Sequence, residues 1–248
     1  MICYQPNGRI CGLLSKLKNK LFPVRGKPSS NAIFLVGTTL ILLTVSSLQA
    51  QEKHDSRDYI VTVDGKEAGS LKIDYVSVDD DSVDVFVRSN IECRVLFLPY
   101  SYSLDVRESW HDGRLVSLKS IVNDNGTILR TELRKSGRTF DVTVNDRLLQ
   151  QISDCNASTT FAVRPRLVGS ADQLTLDIDT GKTANLPWSD MGSQDVAVDG
   201  ANIVGHRFRV SDECGTQVWY DDSNRLIKQI FKDSGSQVMV VQTKRLSH

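Results

Sequence analysis

From Tyr100 to Trp110 apolar and polar side chains alternate. Tyr100, Tyr102, Leu104, Val106 and Trp110 share one parity and Ser101, Ser103, Asp105, Arg107 and Ser109 the other, with one lapse at Glu108. A period of two marks an antiparallel strand with one buried and one wet face. The same period recurs at Tyr59, Val61, Val63; at Leu71, Ile73, Tyr75; at Val83, Val85, Val87; at Phe140, Val142, Val144; and at His206, Phe208, Val210. Turn signals separate these runs: Asp64-Gly65, Asp112-Gly113, Asn125-Gly126, Ser136-Gly137, Cys214-Gly215 and Ser234-Gly235. The pattern predicts a mainly β chain, a single antiparallel meander forming a curled sheet or open half-barrel.

One stretch breaks this rhythm. From Ser153 to Asp199 the alternation weakens around Pro165, Pro187 and several glycines, which predicts an excursion that crosses or caps the sheet before strands resume near Val204. A short helix fits within Ser158 to Val168, limited by Pro165. Loops held by a rigid sheet carry sites more often than strands do, so any function is expected here first.

The uncharged run from Ala32 to Leu48 follows a basic segment with Lys16, Lys18, Lys20, Arg25 and Lys27. Its apolar core, Ile33 to Val45, has the length of a signal-peptide core and falls short of the roughly 20 residues that span a bilayer. Residues 1–50 therefore read as an N-terminal extension and signal peptide, and residues 51–248 as an exported β domain, periplasmic or secreted. Ala50 suits cleavage before Gln51. Leu48 is larger than the cleavage pattern prefers, which leaves an uncleaved membrane anchor as the alternative.

Export changes the composition that matters. The chain has 30 basic and 30 acidic residues, but the first fifty hold six basic and no acidic ones, so the exported part has net charge −6. An acidic domain has no footprint for nucleic acid and none for an anionic membrane surface. Of five cysteines, Cys93, Cys155 and Cys214 remain. An oxidising compartment suggests a disulfide between Cys155 and Cys214, both in polar, loop-like surroundings; three free thiols is the alternative.

The chain resembles a family of exported bacterial proteins known as a domain of unknown function, DUF6134. The resemblance rests on Asp64-Gly65-Lys66-Glu67-Ala68-Gly69 after an opening strand, then Val95-Leu96-Phe97-Leu98 leading into Tyr100-Ser101-Tyr102. It continues through Glu108-Ser109-Trp110-His111-Asp112-Gly113-Arg114-Leu115, Asn123-Asp124-Asn125-Gly126, Phe161 and Thr180-Gly181-Lys182, and ends on Trp219-Tyr220-Asp221. Where the family tends to place Trp-Asn after the first aromatic of the excursion, this chain has Ala162-Val163. The resemblance implies a long sheet similar to open half-barrel envelope proteins such as lipoprotein carriers, and with it a concave apolar surface.

Catalytic and metal signatures are thin. His54, His111, His206 and His248 have no ligand spacing, and no metal or cofactor is expected. Asp177-Ile178-Asp179 has calcium-loop spacing, but Gly181 stands where a third oxygen ligand is needed. Asp179-Thr180-Gly181 looks like the triplet of aspartic proteases, although Lys182 follows it and no second copy exists, so a hydrolase would have to be a dimer; the alternative is a plain hairpin turn. Six aromatic residues, Tyr100, Tyr102, Trp110, Phe161, Trp188 and Trp219, could line a trough if the sheet curls, or could be core filler. The sequence thus suggests a non-catalytic binder or carrier of an apolar or lipid-like ligand in the cell envelope, with an envelope interaction or assembly protein as the alternative.

Overall fold

A computed structural model describes residues 53–95, 98–167, 172–233 and 235–247. The apolar N-terminal run with Ala50 and Gln51, the pair Leu96-Phe97 and His248 lie outside the described residues. Eight strands run up and down in chain order: β1 (His54–Val63), β2 (Lys66–Ser77), β3 (Ser82–Val95), β4 (Leu98–His111), β5 (Arg114–Asp124), β6 (Thr127–Ser136), β7 (Thr139–Val144) and β8 (Arg147–Ile152). Seven more follow: β9 (Ala157–Ser158), β10 (Asp172–Leu176), β11 (Thr183–Val198), β12 (Ala201–Val210), β13 (Gln217–Tyr220), β14 (Leu226–Asp233) and β15 (Ser236–Ser247). All form one 15-stranded sheet, ordered β8 to β1 and then β15 to β9.

The expected antiparallel meander is therefore present, as two arms that meet where β1 pairs with β15. Among the described residues only the short β9–β10 contact is parallel. The sheet does not close by strand pairing. It curls until the far end of the second arm lies across the inner face of the first. There Ser120 donates to the Ile178 carbonyl (3.2 Å) and Gln150 to the Gly181 carbonyl (3.0 Å). Side chains of the alternating parity, among them Tyr59, Val61, Ile73, Tyr75, Val85, Val106 and Trp110, form one core on this inner face.

The excursion is shorter than the sequence suggests, because β10 and β11 already occupy residues 172–176 and 183–198. Pro187 does not end a strand. It sits where β11 changes neighbour, with Pro187 paired to Asp172 of β10 and Trp188 to Val210 of β12. What remains irregular is a strap over residues 159–167, and its described residues contain no helix. The amide groups of Arg164 and Arg166 donate outward, to the carbonyls of Asn224 and Gly113, and that of Ala162 donates to a side chain, Thr160 Oγ1. A helical turn would have used those donors internally.

A second, smaller core lies on the outer face. β12 pairs with β13 only over His206–Arg209, so the rest of the β11–β12 hairpin is free to fold over the sheet. Val196 and Val198 thereby bury Trp219 and Ile227. Gly205 permits the approach: a Cβ there would sit 3.2 Å from Ile227 Cδ1 and from Val196 Cγ2.

Candidate functional site

The strap is where chemistry-bearing side chains converge. Glu108, the lapse in the alternation, is fully buried. A bulge between Ser109 and Trp110 shifts the register of β4 against β5 beside it. Its Oε1 accepts from Ser158 Oγ (2.6 Å) and lies 2.8 Å from Thr160 Oγ1, while Oε2 accepts from Trp110 Nε1 at 2.8 Å. Burial pushes the Glu108 carboxyl above its ordinary value, against the pull of those hydrogen bonds.

Beyond Thr160 the strap turns through Phe161, whose φ of 50° is a left-handed conformation that costs a bulky residue roughly 1–3 kcal/mol. Two phenols hold it there. Tyr220 donates to the Phe161 carbonyl (3.1 Å) and Tyr75 to the Ala162 carbonyl (2.9 Å). Val163 then makes an isolated antiparallel bridge with Arg225, and Arg166 forms an ion pair with Asp112. Phe161 packs on Trp188 (centroids 5.8 Å apart), which packs on Phe208 (6.1 Å).

Behind this end of the strap Arg57, 1% exposed, donates to Asp55 (2.6 Å), Asp221 (2.7 Å) and the Leu226 carbonyl (3.3 Å). Burial opposes its charge, but the Asp55 hydrogen bond and neighbouring groups leave the guanidinium more firmly protonated than usual. Arg225 stacks 4.3 Å over the Tyr75 ring. Tyr75 itself is pushed up to about 12 by burial, so it serves as a phenol donor.

The six aromatic residues do not line an open trough. Tyr102, Trp110, Phe161 and Trp188 are buried in the inner core, and the strap with β9 and β10 fills the space between them. Trp219 lies on the opposite face, in the second core, beneath Arg207 and Lys228. Tyr100 alone of the six is half-buried, at a shallow open depression of about 400 Å³ that it shares with Glu92, Cys93, Arg94 and Asn125.

The Cys155–Cys214 disulfide is not formed. Cys155 is a buried free thiol donating to the Ala157 carbonyl at 3.4 Å, and Cys93 is also free. The polar neighbours that made Cys155 look loop-like serve the backbone, Asp154 Oδ1 accepting the Cys155 amide. Asp179-Thr180-Gly181 is the β10–β11 turn. Asp177 accepts from the Asp179 amide and the Thr180 hydroxyl, and Asp179, 4% exposed, accepts from Tyr102. A carboxylate so enclosed cannot share a proton across a dimer.

Sequence reasoning missed a polar relay on the exposed β11–β12 bulge. His206 lies 3.1 Å from Asp190 Oδ2 and 3.4 Å from Ser193 Oγ. The Gly192 amide and His206 together hold Asp190 below the usual carboxylate range. The amide that could have stabilised an oxyanion is thus committed to Asp190. Among the described residues no cluster of three or more His, Cys, Asp or Glu could hold a metal.

These features define a class: an all-β half-barrel whose inner face is sealed by a strap of its own chain. The chain belongs to the family of the domain of unknown function DUF6134, whose model matches residues 59–242. Its fold is similar to the crystal structure of a beta-barrel-like protein of the domain of unknown function DUF1849 from Brucella abortus, with TM-score 0.56 and 7% identity over 79% of this chain and 98% of that one. A putative outer membrane lipoprotein-sorting protein domain from Vibrio parahaemolyticus is a far looser match, with TM-score 0.24 and 8% identity over 79% of this chain and 85% of that one. No curated protein matches the chain.

Proposed function

We propose that the protein is an exported, non-catalytic binding protein of the cell envelope, and that its inner face takes an apolar, chain-like ligand when the strap lifts. The observation that carries this reading is the manner of closure. The half-barrel is sealed by an apolar segment, Phe161-Ala162-Val163, whose carbonyls are held by tyrosine hydroxyls and whose sheet pairing among the described residues is one isolated bridge, beside which the Leu226 amide donates to the Ala162 carbonyl (3.1 Å). Such a segment occupies the place of a guest, and lifting it exposes aromatic walls. The indole N–H of Trp188 is buried there without a hydrogen-bond partner among the described residues, a donor available to an ester or carboxyl oxygen of a ligand.

Extraction of the purified domain and mass spectrometry of co-purifying lipid test the reading, with acyl-chain species expected. A Val163→Cys/Arg225→Cys variant oxidised across the bridge should lose uptake of a fluorescent fatty acid and regain it on reduction. Equal uptake in the locked and open forms, or a ligand-free protein that binds no hydrophobic dye, would sink the proposal.

The second reading, an envelope assembly protein, is favoured by the free edge of the sheet. Among the described residues β8 has a strand on one side only, and its Leu148 and Leu149 are 59% and 50% exposed. An unpaired edge with exposed leucines is a template for a partner strand. Crosslinking in cells from a photoreactive residue at position 148 would show a stoichiometric protein partner under this reading and none under the first.

A further inference from the structure

Three oxygens meet inside the protein at mutual hydrogen-bond distance. Glu108 Oε1 lies 2.6 Å from Ser158 Oγ and 2.8 Å from Thr160 Oγ1, and the two hydroxyl oxygens lie 2.8 Å from each other. Each edge of this triangle needs a proton. Ser158 and Thr160 bring one apiece. The Trp110 indole is committed to Oε2, and the Ala162 amide approaches Thr160 Oγ1 from outside the triangle at 3.3 Å. The third edge closes only when Glu108 carries its carboxyl proton. With Glu108 ionised, at least one pair of oxygens faces lone pair to lone pair at under 3 Å in a buried site.

The surroundings offer the ionised form nothing further. Glu108 is flanked in the sheet by Val85 of β3 and Leu118 of β5. The titratable groups that face it are the Cys155 thiol and the Tyr220 phenol, both kept neutral by burial. Among the described residues no lysine, arginine or histidine pairs with it.

We propose that Glu108 is held as the neutral carboxylic acid and acts as a proton-controlled latch, fastening the start of the strap through Ser158 and Thr160 and releasing it when rising pH removes the proton. The sign follows from linkage. The unfolded chain loses this proton at the ordinary glutamate value and the folded chain above it, so the latch is fully fastened below the ordinary value and is lost as pH rises through the raised one. The latch rests on the reading of the strap as a movable cover, but the two can fail separately, because the titration is measured without ligand.

The test is ¹³C NMR of the Glu108 Cδ in the exported domain, titrated from mildly acid to mildly alkaline pH, with amide exchange of Phe161 to Val163 followed in the same samples. Glu108 should titrate above the other glutamates. Over that step the strap amides should exchange about tenfold faster than amides of β5, after correction for the intrinsic pH dependence. In Glu108→Gln an amide N–H stands in for the carboxyl proton, and strap exchange should then follow β5 at every pH. Should that variant fail to fold, Ser158→Ala removes two edges of the triangle and must move the pH at which the strap loosens. Titration of Glu108 at or below the ordinary value, loosening unchanged in Glu108→Gln or unmoved in Ser158→Ala, or titration without loosening each overturns the latch. A working latch in a protein that never takes up a fatty acid overturns the binding function alone.

Discussion

Tyr102 donates its phenolic hydrogen to Asp179 Oδ1 across 2.8 Å, joining the first arm of the sheet to the β10–β11 turn that lies on it. Burial and the Asp179 charge push the phenol far above its usual range, so it remains a donor at every physiological pH. The contact gives a structural role to two residues with functional expectations in sequence, a trough aromatic and a catalytic aspartate. Tyr102→Phe removes one hydrogen bond to a buried carboxylate and should destabilise the domain by about 1.5–3 kcal/mol. Urea denaturation should show a lower midpoint with an unchanged slope. A loss under half a kcal/mol would mean the turn is not docked as described.

Gly69 closes the motif that opens the domain, and the reason is backbone proximity. A Cβ at this position would lie 2.0 Å from the Asn90 carbonyl oxygen and 2.8 Å from Ile91 Cα on β3. Backbone of a central strand cannot move aside as a flexible side chain can. Gly69→Ala should therefore cost about 3 kcal/mol, at the upper end for overpacking. The effect should appear as lost amide protection around Asn90 and Ile91; a variant as stable as the parent would contradict the β2–β3 register.

Strand existence was legible in the sequence because Tyr100 to Trp110 and its echoes keep a period of two, broken in that stretch at Glu108 alone, and one buried face imposes that period. The half-barrel and the family followed. Which face a residue joins was not legible, since parity is relative: Val218 and Tyr220 point into the inner core while Trp219 points out, beneath a hairpin that folds back. The excursion is legible too, but Pro187, one of the residues around which the alternation weakens, marks a change of neighbour within β11. Glu108 stood out as an exception to the alternation, yet its partners Ser158 and Thr160 lie fifty residues away on a segment with no periodicity to place it. Cys155 misled because Asp154 and Asn156 use their side-chain oxygens on backbone amides, those of Cys155 and of Leu174 on β10, leaving the thiol to the core.

Arg57 and its two carboxylates form an ion cluster that is almost wholly enclosed, with side-chain exposures of 1%, 9% and 17% for Arg57, Asp55 and Asp221. Removing one member of such a group leaves buried charge uncompensated, which costs about 3–5 kcal/mol. Arg57→Leu should unfold at correspondingly lower urea, and adding Asp55→Asn and Asp221→Asn should restore a large part of the loss. If the triple variant is no more stable than the single one, the penalty comes from lost packing of the arginine stem.

Cys93 and Cys155, the free thiols among the described residues, should react in a fixed order. Cys155 is enclosed and pushed up to about 12 by burial, whereas Cys93 is half-buried at the surface depression. Only the thiolate attacks an alkylating reagent, and a buried thiol is both protonated and unreachable. A maleimide at neutral pH should modify Cys93 within minutes and Cys155 only after denaturant is added, as read by peptide mass spectrometry. Early labelling of Cys155 would show that the β9–β10 region opens readily in the native state.

Phe161 fills the space in front of Trp188 that the binding function assigns to a guest. Phe161→Ala should lower stability by about 3–5 kcal/mol, through lost transfer free energy and the cavity left behind. Apolar cavities of this kind remain dry and accept small apolar molecules. Benzene or xenon should therefore raise the melting temperature of Phe161→Ala and leave that of the parent unchanged, since a ligand that binds only the folded state stabilises it by mass action. The same variant separates a merely structural plug from a displaceable one. If the strap is a cover, removing its largest side chain should tighten fatty-acid binding, because less native contact must be given up to lift it. If the strap is permanent core, the variant should bind benzene but no fatty acid, and the inner face would then have no guest larger than the ring it lost.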